Sequence, residues 1–200
     1  MITLKVRLTT TEEMLGTASA DPDIHRKFIA AKAPETKQAD QEVDAINPEE
    51  EFEKSLTIFP RVDGKPVMWD YQVKGFFKDA CGSLKRLPKS ECAKVKAYKK
   101  EIDGLIFVAP RAIPIQFDGH IGICQRPLRA STAQGERVAL ASSESIPAGA
   151  TIEFDIQLLY DGHEKMVLEM LEYGKLRGLG QWRNSGKGRF TYEILERRVE

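Results

Sequence analysis

An α+β fold is what the sequence predicts, on three observations. Residues 2–8, 152–158 and 190–194 alternate apolar and polar side chains, the period-2 pattern of half-buried strands. Residues 72–86 and 166–173 repeat apolar side chains at spacings of three and four, the pattern of amphipathic helices. These elements run strand, helix, strands, strand, helix, strand, most simply a ferredoxin-like core with insertions.

In the first strand Ile2, Leu4, Val6 and Leu8 share one face, and Thr3, Lys5, Arg7 and Thr9 the other. Asp21-Pro22 then suits the start of a short helix over about 25–33, with Asp21 as cap and Pro22 in the first turn. The stretch 35–53 carries eight acids and one base, Lys37, and has little periodicity, so it reads as a surface insertion. Residues 55–60 look strand-like, and Asp63-Gly64 marks a tight hairpin turn before Val67-Met68-Trp69. In the helix that follows, Val73, Phe76, Phe77, Ala80, Cys81 and Leu84 form the inner face. Residues 106–115 and 121–124 are apolar but broken by prolines, which favours edge strands or irregular extended pieces. After the turn Pro147-Ala148-Gly149, Ile152, Phe154, Ile156 and Leu158 alternate. Val167, Met170 and Leu171 mark the inner face of the second helix, and Phe190, Tyr192 and Ile194 the last strand.

Two hundred residues, 42% of them apolar, suit one domain over 1–200 carrying the acidic insertion. No apolar run approaches the roughly 20 residues that cross a bilayer, so no membrane partner and a cytoplasmic location are expected. Cys81, Cys92 and Cys124 are odd in number and widely spaced, which suits reduced thiols better than a disulfide framework or a metal cage. Neither a metal nor a cofactor is expected. The net charge is zero but unevenly spread: residues 74–100 hold nine bases against Asp79 and Glu91, and residues 173–190 hold five bases and no acid. A cationic groove is therefore compatible with the neutral total.

Two motifs bear on function. Between the second helix and the last strand, Gly178, Gly180, Gly186 and Gly188 interleave with Trp182, Arg183, Lys187 and Arg189, close after Arg177. Such a loop lets a phosphodiester approach main-chain amides, with cations for the phosphates and an indole for a base. It reads equally well as a glycine-rich hairpin whose Trp182 packs in the core. A helix-to-strand order excludes the phosphate loops that follow a strand and open a helix. In the second motif, Lys74 and Lys78 lie one turn apart beside Gly75, with Lys85 further along the same helix. Solvated surface lysines are the alternative.

Together these segments resemble the RAMP superfamily of CRISPR-associated proteins, and within it the backbone-forming subunits of effector complexes. Pro66 through Gly75 is similar to the family's proline-glycine-serine-serine-any-lysine-glycine segment, with Asp70, Tyr71 and Gln72 in place of small residues. Glu144 through Phe154 is similar to the family's glutamate-proline-glycine-threonine-phenylalanine lead into its penultimate strand, and 178–190 to its glycine-rich loop. The resemblance implies a modified ferredoxin-like fold of the RNA-recognition-motif type. It also implies binding of single-stranded RNA, with DNA as the alternative ligand, and assembly with other ribonucleoprotein subunits or with copies of itself. Lys74, Gly75, Lys78, Lys85, Arg177, Gly178, Gly180, Trp182, Arg183, Gly186, Lys187, Gly188 and Arg189 are the implied contacts.

Catalysis has weaker candidates. Some relatives cleave RNA with a metal-bound aspartate, which would nominate Asp21 or Asp23, or with a general-base histidine, which would nominate His25. Capping explains Asp21, and a solvent-facing helix position explains His25. His120 and His163 show no paired carboxylate or nucleophile in sequence, and no nucleophile-base-acid arrangement stands out. A binding role is therefore favoured, with a His25 endoribonuclease and a virus- or mobile-element-derived interaction protein of the same fold as alternatives.

Overall fold

The architecture is built outward from β1 (Ile2–Thr10), whose alternation needs an apolar cover on one face and partners on both edges. In the computed structural model, which describes residues 1–20, 56–132 and 135–199, β1 pairs antiparallel with β11 (Thr151–Leu158) and with β12 (Phe190–Val199). Opposite residues share a face, so Leu4 lies beside Ile156, Val6 beside Phe154 and Leu8 beside Ile152. All six are at most 2% exposed.

Two helices cover that apolar face. Helix α1 (Asp70–Leu84) buries the six residues its spacing predicts, and α3 (Glu164–Arg177) buries Met166, Val167, Met170 and Leu171. Phe76 of α1 meets Phe190 of β12 edge-on, ring centroids 5.3 Å apart, which ties helix layer to sheet. Between them in sequence lies the short α2 (Tyr98–Leu105), whose Ile102 is fully buried.

β7 (Ile106–Ala109) and β8 (Ala112–Gln116) lie on the far side of β11. The sheet order β12-β1-β11-β7/β8 is the ferredoxin-like order of fourth, first, third and second strand. The expectation of edge or irregular pieces over 106–115 holds for β7, which among the described residues pairs with β11 alone, and is corrected for β8. Pro110 falls in the break between the two strands instead of inside a ladder. β8 is then flanked on both sides, by β11 and by β6 (Lys65–Trp69), and Ile106, Ile113 and Ile115 enter the core. Asp63 and Gly64 both take positive φ, as the turn joining β5 (Arg61–Val62) to β6 requires.

The insertions form a second sheet. Short strands β2 (Met14–Leu15), β3 (Ala18–Ser19) and β4 (Thr57–Ile58) join a long hairpin, β9 (Gly122–Thr132) and β10 (Gly135–Ile146). The strand expected over 121–124 is the root of that hairpin, and the strand-like run 55–60 shortens to β4. Asp21, Asp23, His25, the helix expected over 25–33 and the acidic stretch 35–53 lie outside the described residues.

The open face of the main sheet is not an aromatic platform. Thr3, Lys5, Arg7 and Thr9 of β1 lie beside Thr151, Glu153, Asp155 and Gln157 of β11, and beside Thr191, Glu193, Glu196 and Arg198 of β12. Arg7 bonds Glu153 at 2.7 Å and Arg198 reaches Asp155 at 4.0 Å. RNA-recognition motifs stack bases on aromatic side chains of the central strands, and these three strands offer none on that face. The topology matches that of RNA-recognition motifs, and the aromatic face does not.

Candidate functional site

At one edge of the helix layer, the start of α1 and the 178–188 loop meet across a cleft of about 290 Å³. Gln72 and Gly75 line it from α1, Leu179, Gly180 and Arg183 from the loop, and Thr17 and Phe59 from the connections flanking β3 and β4. Its floor is apolar, with Phe59, Met68, Phe76 and Leu179 each at most 4% exposed, and its rim is polar. A mostly apolar concavity with a few convergent polar groups is the usual build of a binding site.

Of Asp70, Tyr71 and Gln72, Gln72 lines the cleft and the other two lie beside it in sequence. Gln72 Oε1 accepts the Trp69 N–H at 2.8 Å, capping the helix, while its Nε2 donates to Thr17 Oγ1 at 2.6 Å. Asp70 accepts from Arg111 at 2.8 Å, and that guanidinium lies 5.4 Å from the centre of the Tyr71 ring. Glu144, in the other resembling segment, accepts the Phe59 N–H at 2.8 Å and an Arg61 N–H at 2.6 Å, fixing the strand behind the cleft.

The loop needs its glycines for two reasons. Gly178, Gly180, Gly186 and Gly188 all take positive φ, and the non-glycine Trp182 does too, at 58°. A Cβ on Gly188 would sit 1.9 Å from the Leu179 carbonyl oxygen. The main chain is folded onto itself and onto its neighbours. Leu179 N–H donates to Gly188 O at 2.8 Å, Gly188 N–H to Glu13 O at 2.8 Å, and Gly178 N–H to Gly174 O at 3.2 Å. These three amides are committed internally, which takes them out of the cradle of free N–H groups that the sequence suggested.

Those side chains are organised by a carboxylate the sequence reading passed over. Asp79, on α1, accepts from Arg177 Nε at 2.7 Å and from Arg183 Nη1 at 3.1 Å, so one negative charge holds two guanidiniums. The bond to Asp79 raises the Arg177 pKa. Arg177 also donates to Asn184. Lys187 pairs with Glu13, which raises its pKa, and Arg189 Nε donates to Leu176 O at 3.2 Å. Arg177, Gly180, Gln181, Trp182, Arg183 and Asn184 together line a shallow depression next to the cleft.

Behind Trp182 lies Arg126, from the root of the β9–β10 hairpin, 7% exposed, its guanidinium 4.5 Å from the centre of the indole. It donates to Gln181 Oε1 at 2.8 Å and Ser143 Oγ at 3.2 Å, both neutral, and its Nε has no partner. Nothing in the run Cys124-Gln125-Arg126-Pro127 signals this position.

The lysines of α1 point elsewhere. Lys74 donates to Asp103 O at 3.0 Å and lies over the Phe107 ring, with burial lowering its pKa against the pull of Asp103. Lys78 pairs with Asp103 at 2.5 Å, and Lys85 donates to Lys96 O at 3.0 Å above Tyr98. Thus the structure gathers Gly75, Gly180 and Arg183 at the cleft, with Arg177, Trp182 and Asn184 beside it. Lys74, Lys78 and Lys85 lie along α2.

The expectation that His163 lacks a carboxylate partner is corrected. Its side chain is 3% exposed and Nε2 lies 2.7 Å from Glu101 Oε2. The partner comes from α2, 62 residues away, a pairing that sequence spacing does not carry. His120 is exposed.

No family model and no curated protein matches the sequence. Among solved structures, the chain is similar to one in a cryo-EM structure of the Type III-B Cmr-beta complex bound to cognate target RNA, with TM-score 0.55 and 13% identity. The match covers 99% of this chain and 60% of that one, so the chain spans under two thirds of its neighbour's length. What the two share is the fold.

Proposed function

We propose that the chain is a single-stranded-RNA-binding backbone subunit of a CRISPR-type ribonucleoprotein, one domain carrying an acidic insertion, that works alongside other subunits or copies of itself. The observation that carries this is the convergence of the Gly75 end of α1 and the 178–188 loop on one cleft. Trp182 supplies a stacking face, Arg183 and Arg177 supply charge, and Asn184 supplies a neutral hydrogen-bonding group. Support comes also from the shared fold with a chain from an RNA-bound assembly. The polar, ion-paired sheet face and the internally bonded N–H groups of Gly178, Leu179 and Gly188 favour side-chain contact with phosphates and bases as the mode of grip.

Fluorescence anisotropy with labelled single-stranded RNA tests the reading. Binding should weaken with salt at a slope of about 0.7 per phosphate contacted, and Trp182→Ala with Arg183→Ala should weaken it about tenfold or more. Salt-independent binding, or full affinity in the double variant, defeats it. Preference for DNA of the same sequence would change the ligand and keep the site.

A further inference from the structure

We infer that the surface between α1 and α2 is a second stretch of the same nucleic-acid path, a docking face for the phosphates of a strand leaving the cleft. This rests on the reading above and extends it. Lys78, Asp79, Gly82, Arg86, Tyr98 and Lys99 line an open depression of about 610 Å³ there. Asp79 belongs to this depression and also binds Arg177 and Arg183, which line the depression beside the cleft, so the two concavities share a wall.

Several cations elsewhere are paired, Arg7 with Glu153, Arg61 with Glu144, Arg111 with Asp70 and Arg197 with Glu164, and those that meet no carboxylate among the described residues, such as Lys65 on β6 and Lys165 on α3, lie apart in sequence. Arg86 and Lys99, which line the depression, and Lys89, Lys96 and Lys100, near them in sequence, are exposed and meet no carboxylate among the described residues. In a chain with 30 bases and 30 acids, a cluster that meets no carboxylate among the described residues is not forced by composition. Nor does helix stability select it. Lys99 and Lys100 sit in the first turn of α2 and Lys96 just before it, at the end where amide dipoles already point positive, and no side chain caps that end. Cations there repel the helix, whereas an arriving phosphate is attracted by both. Tyr98 lies within this face, its ring under Lys85 at 5.5 Å, an aromatic among cations as in single-strand channels.

The test compares short and long RNA on the full chain. A triple variant, Arg86→Gln, Lys99→Gln and Lys100→Gln, changes only exposed side chains, and an unchanged melting temperature checks that it folds. Anisotropy is read with oligouridylates of about 6 nucleotides, enough for the cleft, and about 20, enough to run onto the second face. The short oligomer should bind the variant as it binds the parent. The long one should bind roughly tenfold more weakly, with the salt slope reduced by about 2, as expected for three lost phosphate contacts. Equal loss on both lengths, or no loss on the long one, overturns the inference while the parent's binding leaves the reading above intact. If the face instead binds poly-glutamate while the variant keeps full affinity for long RNA, its partner is an acidic polypeptide and the inference is overturned. Failure of the parent to bind either length removes both.

Discussion

Two cationic regions of this molecule are built in opposite ways. In the 177–189 loop every basic side chain has an internal acceptor: Asp79 for Arg177 and Arg183, Glu13 for Lys187, a carbonyl for Arg189. Along 86–100, Lys94 pairs with Glu91 while Arg86, Lys89, Lys96, Lys99 and Lys100 are exposed and meet no carboxylate among the described residues. Paired cations mainly fix geometry, since one carboxylate shared between two guanidiniums holds the loop against α1 at a set distance. Unpaired cations fix little and remain free for a polyanion. A count of basic residues along the chain therefore ranks the regions by charge, whereas the structure separates a shaped site from a charged face.

The comparison breaks most sharply at the loop backbone. Gly188→Ala places a Cβ against the Leu179 carbonyl at positive φ, and should cost about 2–4 kcal/mol, a fall in melting temperature of roughly 4–16 °C by calorimetry. A neutral result would mean that the loop is loosely held. Arg126 comes next. Arg126→Ala should cost about 2–3 kcal/mol through lost packing under Trp182, whereas Arg126→Met, which fills the space without a buried charge, should stay within about 1 kcal/mol of the parent in urea melts. Equal losses in the two would show that the guanidinium itself is required.

Asp79→Asn sharpens the contrast further. Removing the shared counter-charge should cost about 1–2 kcal/mol of stability yet tighten RNA binding a few-fold, because two guanidiniums are released toward the cleft. Weaker binding would mean that the pairing, more than the charge, matters to the ligand. The smallest effect is in acid. The Arg197 hydrogen bond lowers the Glu164 pKa below its ordinary 4.5, so the bound carboxylate stabilises the fold above that value and the contribution fades as pH falls through the lowered one. Glu164→Gln should therefore narrow the stability gap between pH 7 and pH 3, read from melts at both values.

Legibility differed between fold and site. The faces of β1, β11, α1 and α3 were readable because their partners impose one period on a contiguous run, and Asp63-Gly64 announced its turn by conformation alone. The β9–β10 hairpin was not, since beyond its root its strands pair chiefly with each other and carry no sustained apolar alternation. α2 hid behind its lysines, with Ile102 alone fully inward. At the site, glycine and tryptophan marked the loop, but the N–H groups of Gly178, Leu179 and Gly188 bond within the fold, and on α1 Lys74 and Lys78 turn toward Asp103 while Lys85 meets the Lys96 carbonyl.

By itself the sequence determined which residues face inward, where the chain must turn, and that the loop needs glycine, because these follow from backbone sterics and periodicities within a few residues. Only the tertiary structure decided which charges meet. Asp79 and Arg177 are 98 residues apart, Glu101 and His163 are 62 apart, and Arg126 reaches Gln181 across 55. A carboxylate's partner is set by the packing of whole elements, so the difference between a paired cation and a free one is a property of the folded molecule.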